Sequence, residues 1–224
     1  MHDAPIDYVE KYYRMDCDRW DSFPSVSGFL WSFLKHVDGR IVLNAGCGPQ
    51  YYDYMLKFAE RPDRYVGLDV SSSTIRYLQQ SRNRRFCAAR RAAREGRTIF
   101  EFMRADIFDA AARLAGRFDC IVATGFIGTF HGPDLDRLSD VLRGALKPHG
   151  KLIKLTWHGP HRTPEQNREK LEYGYDSAEE HQPEVYLSQI ADRGFDVLKH
   201  EIFECDPETY RWDVIQGCVL QRKE

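Results

Sequence analysis

No apolar run in the 224-residue sequence approaches the ~20 residues that a membrane-spanning helix needs. The opening stretch, MHDAPIDYVEKYY, carries no apolar signal-peptide core. Cysteine is sparse and scattered: six residues, at 17, 47, 87, 120, 205 and 218, form no CxxC pair and no Cys/His group at zinc-ligand spacing. Neither sign of charge dominates. With 32 Lys and Arg against 34 Asp and Glu, the net charge of −2 supplies no overall field for a nucleic acid or an anionic membrane. These absences argue against a disulfide scaffold, a zinc module and a bilayer span, and lead to the expectation of a cytoplasmic protein. What remains is a globular composition long enough for one domain with a full core.

Short apolar runs alternate with helical stretches, the pattern of a parallel sheet wrapped by helices. Strands are expected at Arg40–Asn44, Tyr65–Val70, Ile99–Met103, Phe118–Ala123 and Lys151–Thr156, with helices at Gln50–Glu60 and Asp134–Leu146. Lys147-Pro-His-Gly150 reads as the turn closing the second of these helices. A further helix, Glu184–Arg193, precedes two β-like runs, Val197–Phe203 and Val214–Leu220. About ten residues separate those runs, too few for a helical crossover, so they pair antiparallel. The expected fold is therefore α/β: a Rossmann-like doubly wound sheet of five parallel strands plus a C-terminal antiparallel pair. Residues 1–38 read as a helical cap, 39–157 as the ligand-binding core, 158–183 as a lid and 184–224 as the C-terminal helix and strands of the same domain. Apolar and aromatic residues at 20, 23, 26, 29, 30, 31, 33 and 34 give the cap its character.

Open α/β sheets bind ligands at their strand ends, and three features fall there. Leu43-Asn-Ala-Gly46-Cys-Gly48-Pro places glycines where a strand turns sharply, so that backbone can approach a ligand closely. Asp69 ends the next strand at the spacing of a carboxylate that accepts bonds from a ribose diol. Asp106 ends the third, placed to meet an adenine amino group. A tight turn alone would be structural; three such features on successive strand ends point to a nucleotide-type ligand. A nicotinamide fingerprint requires GxGxxG, and Gly46-Cys-Gly-Pro-Gln-Tyr51 lacks its last glycine.

Residues 40–157 resemble the class I S-adenosylmethionine (SAM)-dependent methyltransferases. Val42-Leu-Asn-Ala-Gly-Cys-Gly-Pro looks like their glycine-rich motif, Tyr65-Val-Gly-Leu-Asp-Val-Ser like the second motif and Met103-Arg-Ala-Asp-Ile-Phe like the third. Phe118-Asp-Cys-Ile-Val-Ala and Leu142-Arg-Gly-Ala-Leu-Lys-Pro-His-Gly-Lys-Leu resemble the fourth and fifth. The resemblance implies SAM as cofactor, with S-adenosylhomocysteine (SAH) as its product. It places the methionine end along Asn44, Ala45, Gly46, Cys47 and Gly48, with Thr124 nearby. It sets Asp69 and Val70 at the ribose, and Asp106 and Ile107 at the adenine. Arg14 would meet the SAM carboxylate, since guanidinium forms bidentate pairs with carboxylates. Two residues depart from the family: Asn44 stands where an acidic residue is usual, and Gln50 where a small one is.

The acceptor is read from the fourth-strand exit and the caps. Ala123-Thr-Gly-Phe126 lacks the Asn/Asp-Pro-Pro-Tyr run of DNA amino-methylation, and no Pro-Cys nucleophile follows. Thr124 and Trp157 cannot serve as the aspartate ligands of metal-dependent catechol methylation. These exclusions leave metal-free transfer to a small O, N or C nucleophile. His131, after the fourth strand, and His158, after the fifth, are the candidate general bases, because an imidazole titrates near neutrality. Tyr12, Trp20, Tyr52, Trp157, His161 and Tyr173 are candidate acceptor contacts, although aromatics in a cap also serve simply to glue it to the sheet. Seven arginines between Arg82 and Arg97 raise an RNA-directed alternative. The plainer reading is a helix whose Phe86, Cys87, Ala88, Ala89, Ala92 and Ala93 face inward and whose arginines are solvated. A SAM-binding protein with chemistry other than methyl transfer is the third reading.

Overall fold

The computed structural model describes residues 24–48, 62–80, 87, 91, 94–96, 98–130, 132–158, 183–205 and 214–224. In chain order they form α1 (Pro24–Leu34), β1 (Ile41–Ala45), β2 (Arg64–Asp69), α2 (Ser72–Gln80), β3 (Ile99–Arg104), α3 (Ile107–Leu114) and β4 (Phe118–Thr124). A 3₁₀ turn (Ile127–Thr129), α4 (Gly132–Ala145), β5 (Leu146–His158), α5 (Pro183–Ala191), β6 (Phe195–Glu204) and β7 (Val214–Arg222) follow. The expected helix over residues 50–60 lies outside the described residues.

The seven strands make one sheet in the order β3-β2-β1-β4-β5-β7-β6. Strands β1–β5 pair in parallel, and β7 pairs antiparallel with both β5 and β6. The sheet is therefore the expected one. From β1 the chain builds outward through β2 to β3, then returns to start the other half at β4. That reversal opens a crevice at the carboxyl ends of β1 and β4.

Both faces of the sheet are covered, so the central strands read as continuous apolar runs rather than alternating ones. Leu43, Ile121 and Leu152 pack with residues of α3, α4 and α5 on one face. On the other, Val42, Val122 and Ile153 join Leu30, Phe33 and Leu34 of α1. The α1 portion of the cap is thus part of the core. Its Phe33 ring demands a glycine on β7, since a Cβ at Gly217 would stand 2.3 Å from the ring.

Strand β5 begins earlier than expected. Lys147-Pro-His-Gly150 is not a turn outside the strand but an irregularity within it, with the register shifting between Phe118↔Leu146 and Cys120↔Lys151. His149 takes φ +60° there, and Gly150 is crowded, since a Cβ on it would lie 3.0 Å from Lys147 O. In the arginine-rich segment, Cys87 is exposed along with Arg91 and Arg94. The inward-facing set expected there therefore does not include Cys87.

Candidate active site

The β1 strand ends in a turn that only glycines make cheaply: Gly46 and Gly48 adopt φ +60° and +49°. Asp69, at the end of β2, locks this turn. Its Oδ2 accepts the Gly48 N–H at 3.0 Å and its Oδ1 accepts the Ser71 N–H at 2.9 Å. A carboxylate oxygen can accept more than one hydrogen bond. The Cys47 N–H is committed to Leu68 O at 2.9 Å. Burial, reinforced by the charge of Asp69, holds the Cys47 thiol well above its usual range, so it stays neutral and is not a nucleophile.

Two buried polar residues flank the crevice. Asn44 donates from Nδ2 to the Tyr65 hydroxyl at 2.6 Å, while its Oδ1 has no hydrogen-bond partner among the described residues. Thr124, at the end of β4, is likewise buried, and its Oγ1 has no partner among the described residues. Strand pairing puts Asn44 opposite Val122, so Thr124 lies two residues further along the same face. An orphaned acceptor beside a glycine turn suits a cationic ligand group such as an α-ammonium, and the residues present fit SAM in this respect.

Asp106 does structural work at the third strand end. It is the N-cap of α3, accepting the Phe108 N–H at 2.7 Å. Ile107 is buried, Val70 is exposed, and Ala105 N–H binds Asp69 O at 3.1 Å, tying the β2 and β3 ends together. From Phe108 an aromatic relay reaches the glycine turn. Phe108 meets Phe130 edge-on at 5.8 Å and Phe130 meets Phe126 at 5.2 Å. The Phe126 ring then covers Gly46, where a Cβ would lie 2.2 Å from it.

The β4 exit, residues 125–130, thereby borders both the glycine turn and β5. A Cβ at Gly128 would stand 2.7 Å from Thr156 Cγ2. Trp157 is half-buried, packed against the α1-side core. His158 ends β5, its backbone opposite Val214. The structure thus brings together Asn44, Ala45, Gly46, Cys47, Gly48, Asp69 and Thr124 around the strand ends, with Asp106 and Ile107 beside them. Arg14, Tyr12, Trp20, Tyr52, His131, His161 and Tyr173 lie outside the described residues.

Phe126, Lys154 and Tyr186 gain their place at the site only through the fold. Phe126 sits in a glycine-punctuated loop that reads as linker. Lys154 carried the clearer signal, a lysine inside the apolar run Leu152–Leu155 of a central strand. A cavity of about 410 Å³ lined by Val66, Glu101, Phe102, Met103, Arg117 and Phe118 includes none of the candidate site residues. It reaches Phe118, the first residue of β4, at the strand end away from the crevice. Geometry therefore favours the strand-end crevice as the site.

A doubly wound sheet with a glycine turn, a locked carboxylate and a capped third strand end is an arrangement suited to a nucleotide-type ligand. The family model described as "Methyltransferase domain" matches residues 43–154, half of the sequence. The chain belongs to this family: it is a class I SAM-dependent methyltransferase, with SAM as its methyl donor. No curated protein sequence matches it significantly.

Solved structures share the fold at low identity. The N-methyltransferase NodS from Bradyrhizobium japonicum, solved with SAH, superposes with a TM-score of 0.61 at 16% identity, covering 92% of this chain and 91% of that one. A methyltransferase from Haloferax volcanii, solved in complex with the Trm112 methyltransferase activator, gives 0.66 at 13% identity, covering 97% and 95%. The [4+2]-cyclase SpnF gives 0.57 at 16% identity, covering 88% and 80%. Among the described residues no helix is long and apolar enough to cross a membrane.

Proposed function

We propose that the protein transfers the SAM methyl group to a small-molecule O, N or C nucleophile, without a metal ion. The observation that carries this reading is the Asp69 carboxylate bound to the Gly48 N–H, with the β4 exit packed directly against the same turn. One loop system then holds the donor while its neighbour borders the acceptor.

In this reading Asp69 receives the ribose diol, and the Asn44 amide oxygen receives the ammonium of the methionine end. Asp106 and Ile107 flank the adenine, with Arg14 at the carboxylate. The donor's sulfonium is a strong electrophile, so alignment of nucleophile, methyl and sulfur supplies much of the rate, on the order of 7–11 kcal/mol. His131, directly after the β4 exit loop, serves as general base, with His158 at the β5 end as the other candidate; a base adds roughly 10²–10⁴-fold. Tyr12, Trp20, Tyr52, Trp157, His161 and Tyr173 contact the acceptor. Among the described residues five cysteines are free, four of them buried, which suits a reducing cytoplasm.

One observation favours a second reading: Arg91 and Arg94 stand exposed on helical backbone, as an RNA-binding stripe would. Incubation of the protein with methyl-labelled SAM, a panel of small phenols, amines and enolisable acids, and total RNA separates the two. Label in the small-molecule fraction supports the proposal. Label confined to RNA, bound in a salt-sensitive way, contradicts it.

A further inference from the structure

Lys154 occupies the middle of β5 and is completely buried. Among the described residues no carboxylate pairs with it. Its ammonium donates instead to Gln216 Oε1 and lies 4.6 Å from the centre of the Tyr186 ring. Cys218 stands directly opposite it on β7. Gln216 is fixed in turn by Pro183 O at 2.6 Å and His200 Nε2 at 3.1 Å.

Tyr186 carries the contact onward. Its hydroxyl donates to Ile127 O and reaches Phe130 O at 3.4 Å. Those two carbonyls belong to the β4 exit loop, the same loop whose Phe126 covers Gly46 and whose Gly128 meets Thr156. A buried cation without a counter-ion is expensive, and an apolar side chain would fill the same space without that cost. What the ammonium adds is electrostatic. Placed against the ring face it is attracted to the ring and withdraws electron density from it, which strengthens the phenolic O–H as a donor.

We propose that Lys154 is a positioning residue of the methyl-transfer site, acting through Tyr186 to hold the β4 exit loop against the glycine turn. The inference rests on the assignment of that turn to SAM. It also predicts a proton dependence, because only the ammonium form acts in this way. Burial lowers the Lys154 pKa to about 8, so the loop is held near neutrality and released in alkali. The ionisable groups around it that shift do so away from neutrality. Burial, then the charge of Lys154, lowers His200, which Glu184 partly offsets. Burial also raises the Cys218 thiol and the Tyr186 phenol.

The test uses the full chain, SAH as probe, and the variants Lys154→Met and Tyr186→Phe, by calorimetry at about pH 6.5 and about pH 9.5. At the lower pH, Lys154→Met is expected to bind SAH about fivefold more weakly than the parent. At the higher pH the two affinities converge. The titration of the ligand's own amino group cancels in this ratio. Tyr186→Phe is expected to bind weakly at both pH values and to abolish the difference between them. A ratio that does not change with pH would mean that Lys154 only fills space, and would overturn the proposal.

The amide resonances of Thr129 and Phe130 in ¹⁵N-labelled parent protein give an independent reading. They are expected to shift with an inflection near pH 8. If Lys154→Met fails to fold, these resonances and Tyr186→Phe decide the matter. If the parent fails to bind SAH, the cofactor assignment falls, and the two resonances still decide whether Lys154 controls the loop. Flat resonances through that range reject it.

Discussion

The Phe126 ring occupies the space that any side chain at Gly46 would need, with the missing Cβ only 2.2 Å from Phe126 Cδ2. Gly46 also holds φ +60°, which costs a residue with a Cβ roughly 1–2 kcal/mol. Gly46→Ala therefore displaces the β4 exit loop as well as straining the turn. Calorimetry should show SAH affinity reduced at least about tenfold, or 1.4 kcal/mol. Adding Phe126→Ala should recover part of this loss by making space, but not the part due to φ.

A second relationship fixes the sheet beneath the site. Asp119 Oδ2 accepts the N–H groups of Arg40 and Ile41 at 3.0 and 2.8 Å, and Oδ1 accepts Lys147 Nζ at 2.6 Å. Burial pushes this carboxyl upward, yet Lys147 and the two amides outweigh it and the net shift is downward. Its contribution to stability is then present above the unfolded value of about 3.9 and is lost as pH falls through the lower folded value. Asp119→Ala should cost roughly 1–3 kcal/mol near neutrality. The gap in urea midpoint between parent and variant should narrow below about pH 4.

Lys154 makes the opposite prediction. Its folded pKa, about 8 against 10.5 for the free side chain, means that folding disfavours the charged form. The penalty is full below about pH 8 and disappears as pH rises to the unfolded value of about 10.4. Relative to Lys154→Met, the parent should gain roughly 3 kcal/mol of stability across that interval, at 1.36 kcal/mol per pH unit. Parallel urea titrations of the two proteins measure this directly, and a gap that stays constant with pH would show that the buried amine does not titrate there.

Much of this architecture was legible because each element announces itself locally. Val42 and Leu43 mark a strand buried on both sides, the glycines after it mark a turn, and the short gap between the last two strands forces an antiparallel pair. Contacts made through space left less trace. Asp106 reads as a ligand-facing carboxylate, yet its immediate partner is the Phe108 amide, because a strand end is also a helix start. Phe126 and Gly46 are eighty positions apart, and nothing local in either predicts that one covers the other. Lys147-Pro-His-Gly150 has turn chemistry and does bend the backbone, but strand pairing with β4 continues around it.

The proposed general base has its own signature. His131→Asn should lower kcat while leaving SAM affinity nearly unchanged, since only proton removal in the transition state is affected. The parent rate should rise with pH through an inflection at about 6–7, as for an imidazole that must be neutral to act, and the variant should lack it. If His158→Asn removes the inflection instead, the base lies at the β5 end.

The central claim is that the glycine turn and Asp69 form the SAM site, and calorimetry of the parent and Asp69→Ala with SAM, SAH and NAD tests it most directly. Two charge-assisted bonds to the ribose diol, each worth roughly 1.5–3 kcal/mol, are lost in the variant. The Gly48 and Ser71 amides lose their shared acceptor in the same change. The expected result is binding of SAM and SAH by the parent, at least about tenfold weaker in Asp69→Ala, with no binding of NAD. Unchanged SAM affinity in the variant, or a parent that prefers NAD, would contradict the account.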